Sequence, residues 1–168
     1  SVHHPEQLSK WCTKELLAVL LESRLDFDEF ITGNGIDASK LDEDVPFKIR
    51  RGNVGWLLEW VNYLAEQSLT GKSPMKYHAL SSNDEGISAL LNVLGIKKAL
   101  FKGRPNYSAC VIFEFYKTKG GEDKVKALFR RGPGSEFEDV THFIEGCKEF
   151  CDYDVFHAIV KPYFGKLN

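Results

Sequence analysis

Some stretches of the chain repeat apolar residues at helical spacing and others alternate them, which divides the sequence into elements before any chemistry is considered. Val54, Leu57, Leu58, Val61 and Leu64 predict a helix over Asn53–Ser68, with Glu59, Asn62 and Glu66 pointing elsewhere. Trp56 and Trp60 are i, i+4 neighbours at the edge of that face and read as packing residues. Leu16, Leu17, Val19, Leu20 and Leu21 predict an earlier helix over Thr13–Leu25, with Thr13 as its cap. So broad an apolar face predicts burial against a sheet or another helix. Between the two helices, Asp26–Phe47 carries D-F-D-E-F, G-N-G and L-D-E-D and reads mainly as loop, with room for one short helix. A calcium loop is excluded there because the glycine and the terminal glutamate are misplaced.

The middle of the chain, Lys76–Leu94, reads as a short strand (Lys76–Ser81), a polar turn (Ser82–Gly86) and a helix (Ile87–Leu94). Further on, Ala109, Val111, Phe113 and Phe115 alternate with Cys110, Ile112, Glu114 and Tyr116, predicting an internal strand over Ser108–Lys117. Glu114 on such a strand needs an Arg or a backbone donor beside it. Thr118–Asp123 reads as a hairpin loop into a second strand, Lys124–Arg130. Arg131–Gly134 resembles a phosphate loop only superficially, since its proline removes an N–H and no helix follows. Phe143-Ile144 reads as a short edge strand, and Tyr153–Val160 as a last helix ended by Pro162. The fold class this order predicts is α/β: one domain over residues 1–168, in three layers, with a mixed sheet and flanking helices.

Composition narrows the function. At 168 residues, 43% of them hydrophobic and 12% aromatic, the chain has the size and core of one ordinary domain. Its 22 basic and 24 acidic residues are interspersed, for a net charge of −2. No basic stripe predicts nucleic acid as a partner, no polybasic helix predicts a membrane surface, and no cofactor motif appears. The start, Ser1-Val2-His3-His4-Pro5, has neither the basic residues nor the apolar run of a signal peptide, so the protein is cytosolic or its start is missing.

The cysteines favour the second alternative. Of Cys12, Cys110, Cys147 and Cys151, the last two stand in G-C-K-E-F-C, close enough to close a small disulfide loop. With His142 and His157 they also make H-x4-C-x3-C-x5-H, but that spacing fits no usual zinc site, and the disulfide Cys147–Cys151 is the expectation, with no metal. Asn106-Tyr107-Ser108 is a glycosylation sequon, usable only in a secreted protein.

Candidate chemistry centres on the turn before the Ile87–Leu94 helix. A strand feeding a helix aims unpaired N–H groups and a positive dipole end at the turn, which makes an anion site. Asn83 and Asp84 stand there, one a neutral donor and acceptor, the other a carboxylate. The plainer reading of the same residues is helix capping.

The order of several motifs resembles the C-terminal half of the histidine acid phosphatases, of the prostatic and lysosomal type. F-K-I-R-R-G-N-V-G-W-L-L is similar to that family's basic-x-x-Gly-x-Leu helix opening, and L-S-S-N-D-E-G-I lies where the family has Ser-Ala-His-Asp-Thr-Thr. R-P-N-Y-S-A-C-V-I-F-E-F-Y resembles its Pro-x-Tyr-Ala-Ser-Cys strand, and V-K-A-L-F-R-R and G-C-K-E-F-C its following strand and disulfide loop. S-V-H-H-P-E-Q-L-S-K-W-C-T is similar to its Ser-Val-His…Trp-Ala-Thr segment.

The resemblance implies an incomplete phosphoglycerate-mutase-like fold and a secreted protein, extracellular or lysosomal. It also implies phosphomonoester hydrolysis at acid pH, with Asp84 as proton donor and Asn83 in place of the phosphate-contacting histidine. The family's Arg-His-Gly nucleophile motif is absent: His3, His4, His78, His142 and His157 all stand in other contexts. The chain is therefore a fragment or a degenerate relative, expected to be inactive alone. The partners implied are a phosphomonoester or inorganic phosphate and the N-terminal half of the same protein, with a homodimer open. The family's partner for Cys110 would lie upstream of Ser1, and Cys12 is the alternative. The competing function is a non-catalytic secreted binding or antigen-like protein on the same fold.

Overall fold

An antiparallel hairpin carries the C-terminal half of the molecule. In the computed structural model, which describes residues 11–35, 45–101 and 103–165, β1 (Cys110–Lys117) pairs in full register with β2 (Asp123–Arg130). The Ser-Val-His start and the L-D-E-D run lie outside the described residues. Between the strands, Thr118 N–H donates to the Glu122 carbonyl at 2.8 Å, and Gly121 takes the positive φ of 86° that the turn requires. Val111, Phe113 and Phe115 lie opposite Phe129, Ala127 and Val125, so the apolar residues of both strands share one face. The other edge of β2 is shared by two short strands, β3 (Glu138–Asp139) and β4 (Cys151–Asp152). Every described pairing is antiparallel, and the class is the α/β one expected.

Helices close over that face. α2 (Val45–Leu69), α3 (Asp84–Val93) and α5 (Tyr153–Val160) bring Val54, Leu58, Leu91, Phe156 and Val160 against Val125, Ala127 and Phe129 in one core. Each fully buried Leu or Phe contributes about 1.5–3 kcal/mol by leaving water. The C-terminal 3₁₀ turn Lys161–Tyr163 lies so close to α2 that a Cβ on Gly55 would strike the Tyr163 carbonyl. The disulfide Cys147–Cys151 is present, with Cα atoms 4.5 Å apart, whereas Cys12 and Cys110 are free thiols.

Several boundaries depart from expectation. The first helix, α1, runs from Lys14 to Ile31, with the Thr13 hydroxyl capping Leu16 N–H at 3.2 Å. It continues through D-F-D-E-F, read above as loop, because Asp28 and Glu29 are buried on ion pairs instead of exposed. The burial expected of its apolar face does not occur among the described residues: Val19, Leu20, Leu21 and Phe27 are exposed. α2 begins at Val45 rather than Asn53, with Pro46 in its first turn, where a missing N–H costs nothing. Lys76–Ser81 is not a strand. It is exposed, irregular chain without a ladder partner among the described residues.

In place of an edge strand at Phe143-Ile144, Thr141–Phe143 is a 3₁₀ turn. The Thr141 hydroxyl accepts the Ala127 N–H at 2.9 Å and so stands in for a strand partner. Glu114 has the donor it needs, but it is the Tyr116 hydroxyl, with Lys126 directly across the ladder. Accepting that bond holds the Tyr116 proton, raising the phenol to about 12. Glu114 is half-buried and Tyr116 exposed, so this face of the sheet is only partly covered.

Candidate functional site

The turn before α3 is built by its own side chains. Asn83, extended at φ −101° and ψ 177°, is the N-cap, and its Oδ1 accepts the Gly86 N–H at 2.9 Å. Helix α3 therefore starts at Asp84, three residues earlier than the apolar pattern marks, since its first turn is polar. Gly86 leaves room for the cap: a Cβ there would push the Ser82 hydroxyl aside and press on Asn83 Oδ1 at 3.2 Å. Beside this turn lies an open, polar cleft of about 360 Å³, lined by Gly52, Asn53 and Trp56 of α2 and by Ser82, Asn83, Glu85 and Gly86. With Oδ1 committed to the cap, the Asn83 amide N–H groups are what that residue can offer a ligand.

Asp84 is oriented differently. Its Oδ2 accepts Arg104 Nη1 at 2.8 Å and its Oδ1 accepts the Glu85 N–H at 3.1 Å. It is not among the residues lining the cleft, although its side chain is 40% exposed. The same guanidinium reaches Asp28 Oδ1 through Nε at 2.8 Å and Glu85 Oε1 through Nη2 at 3.3 Å. Asp28 is buried and takes a second, longer contact from Arg24. Arg104 thus ties the end of α1 to the start of α3 by a planar fork that a point charge could not supply. Its hydrogen bond, more than burial, holds the Asp84 carboxyl below the usual carboxylate range, while the carboxylates raise Arg104 further.

A second ion pair lies next to the first. Lys97, at the start of α4 (Lys97–Leu100), is 0% exposed, and its ammonium meets Glu29 Oε1 at 2.8 Å. Burial alone would raise the Glu29 carboxyl. The Lys97 ammonium, the Gly103 N–H at 2.7 Å and the Asn34 amide outweigh it and hold the group low. Thr32, also buried, accepts from Asn92 of α3 through its carbonyl at 3.0 Å. These contacts fix α1 through polar groups to α3, to α4 and to the loop after it.

Sequence reasoning singled out Asn83 and Asp84 and passed over the Arg104, Asp28, Glu29 and Lys97 around them. The signal was present: two carboxylates inside a helix's apolar repeat call for cations, and the stretch from Lys97 to Pro105 is basic. Asn106, the sequon residue, is exposed.

No family model matches the chain. Among curated proteins, it is 30% identical over 149 residues to the Caenorhabditis elegans protein named "Putative acid phosphatase F26C11.1", covering 79% of this chain and 34% of that one. It is 28% identical over 150 residues to "Putative acid phosphatase 10" of the same organism, covering 79% of this chain and 35% of that one. The chain spans about a third of the length of these relatives, 34% and 35%. What the sequence motifs and the comparisons agree on is an acid-phosphatase-like chain.

Proposed function

We propose that the intact protein hydrolyses phosphomonoesters in acidic medium as a histidine-acid-phosphatase-like enzyme, and that this chain is its C-terminal part. The observation that carries the reading is the start of α3, where Asn83 lines an open polar cleft and Asp84, next to it, keeps a part-exposed carboxyl on Arg104. Its context, L-S-S-N-D-E-G-I, stands where the resembling family keeps its His-Asp, and the names of both relatives support the same activity. In this reading an Asn83 amide N–H binds a phosphate oxygen at the helix start, where the dipole favours an anion. Asp84 gives its proton to the leaving oxygen as the phosphoryl group passes to a histidine nucleophile outside this chain.

The partner we propose is the N-terminal half of the same protein. Two features support it: the exposed apolar face of α1, and the segment before α3 with Met75, Tyr77 and Leu80 exposed. Secretion, to the extracellular space or lysosome, with glycosylation at Asn106, completes the proposal. The Cys147–Cys151 disulfide and the exposure of Asn106 support it.

The test is turnover of a chromogenic phosphomonoester at acid pH by the 168 residues and by the intact protein, each with Asn83 and with Asn83→His. The expected result is no turnover by the chain alone, turnover by the intact protein and a large gain with histidine. Turnover by the chain alone would refute its incompleteness. An intact protein silent with either residue would refute the enzyme reading in favour of a binding protein.

A further inference from the structure

Three carboxylates converge on one guanidinium at this site: Asp28 from α1, Asp84 and Glu85 from α3, all on Arg104. Only Asp84 among them is assigned chemistry by the function proposed above, and the inference rests on that reading. An acid that must donate a proton is badly served by a cation bonded to it, because the cation stabilises the form without the proton. The arrangement makes physical sense where the medium is acidic enough to protonate the carboxyl despite its partner.

We propose that Arg104, anchored through its Nε by buried Asp28, is the positioning residue of the site, fixing where the Asp84 carboxyl lies and how acidic the medium must be before it carries a proton. Arg104 leaves Asp84 its second oxygen, which is held by the Glu85 N–H, so the carboxyl is fixed at both ends. The titratable groups facing it are Arg104 from the loop after α4, Asp28 and Arg24 from α1, and Glu85 from its own helix. From α2, the cleft receives Gly52, Asn53 and Trp56, none of which titrates. Without Arg104 the cluster would hold three carboxylates, of which Asp28 alone keeps a cation, the exposed Arg24 at 3.4 Å. Like charges in such proximity raise one another's pKa.

The direction of the effect follows. With Arg104 present, Asp84 protonates late as pH falls. With Arg104→Gln it loses its cation but keeps the carboxylates of Glu85 and of Asp28, the latter still paired with Arg24, so it protonates earlier and proton donation extends toward neutral pH. Glu85→Gln should act oppositely, because it removes a repelling charge and a competitor for the guanidinium. Arg104→Lys should fall between wild type and Arg104→Gln, since an ammonium keeps the charge but cannot fork to three carboxylates.

The experiment uses the intact protein and reads two quantities: the Asp84 carboxyl titration by carbon-13 NMR, and the pH profile of phosphomonoester turnover. The expected result is a matched shift in both, upward for Arg104→Gln and downward for Glu85→Gln. Because the two variants move in opposite directions, a general loosening of the fold cannot imitate the pair. An Asp84 titration unmoved by either variant overturns the inference, as does a turnover profile that stays in place while the titration moves. A protein with no turnover at any pH, but with the titration shifting as described, removes the enzyme reading and leaves Arg104 as the residue that fixes the Asp84 carboxyl.

Discussion

Phe129 and Leu20 are both large apolar residues within regular elements, yet the first is 1% exposed and the second 50%. The hairpin around Phe129 finds its partners nearby, in β1, α5 and α2, and buries one whole face. Helix α1, around Leu20, is attached through Asp28, Glu29 and Thr32 near its C-terminal end and leaves most of its apolar residues exposed. One region is held by the hydrophobic effect and the other by ion pairs. The two should therefore respond to different insults.

The largest effect should come from the core. Phe129→Ala removes a ring stacked on Phe101, with centroids 5.9 Å apart, and leaves a cavity beneath β2. The expected loss is about 3–5 kcal/mol in urea unfolding. A loss below about 1 kcal/mol would mean that the hairpin is not the centre of the fold.

Next comes the junction. Glu29→Ala leaves the fully buried Lys97 ammonium without its counter-charge and is expected to cost about 3 kcal/mol. Glu29 also sets a pH dependence. Its folded pKa is lowered, so its contribution is complete above the unfolded carboxylate value of about 4.3 and is lost as pH falls through the folded value. Hydrogen exchange should then show α1 opening at acid pH while β1 and β2 stay protected. If both regions open together, they are one cooperative unit and the contrast fails.

These two regions also differ in how far the sequence revealed them. β2 and α5 were legible almost to the residue, because alternation in V-K-A-L-F-R and helical spacing in Y-D-V-F-H-A-I-V are satisfied by nearby contacts. The end of α1 was not, because Asp28 and Glu29 look like loop residues until Arg104 and Lys97 are brought to them from far along the chain. Lys76–Ser81 misled in another way. Its residues suit a strand, but a strand needs a neighbour, and pairing is a property of two segments. At the site, Asn83 and Asp84 were legible as a pair, whereas their division between the cleft and Arg104 was not. That division depends on a residue twenty positions past Asp84, as the separation in the Arg104–Asp84 bond records.

The turn offers a smaller and local test. Asn83→Ala removes the acceptor of the Gly86 N–H and should cost about 1 kcal/mol, with little change elsewhere. Asn83→Asp keeps the acceptor and should recover most of that loss. It would also place a negative charge at the mouth of the cleft, so any anion bound there should weaken even as the helix is restored. A variant that recovers stability and anion binding together would show that the cap, rather than the amide N–H, is what the ligand depends on.

The smallest effect on stability is expected where exposure is greatest, and its smallness is the informative part. Leu20 and Val19 are exposed on α1 and lose almost nothing on truncation, so Val19→Ser with Leu20→Ser should change the stability of this chain by no more than about 0.5 kcal/mol. In the intact protein the same double change should be severe if the N-terminal half covers that face, because it would then place two hydroxyls in a core without partners. The ratio of the two losses measures how much of α1 another part of the polypeptide buries. Equal, small losses in both would leave the face uncovered and turn attention to the exposed segment around Tyr77. A large loss in the chain alone would show instead that α1 already packs against this body, erasing the distinction between the two regions.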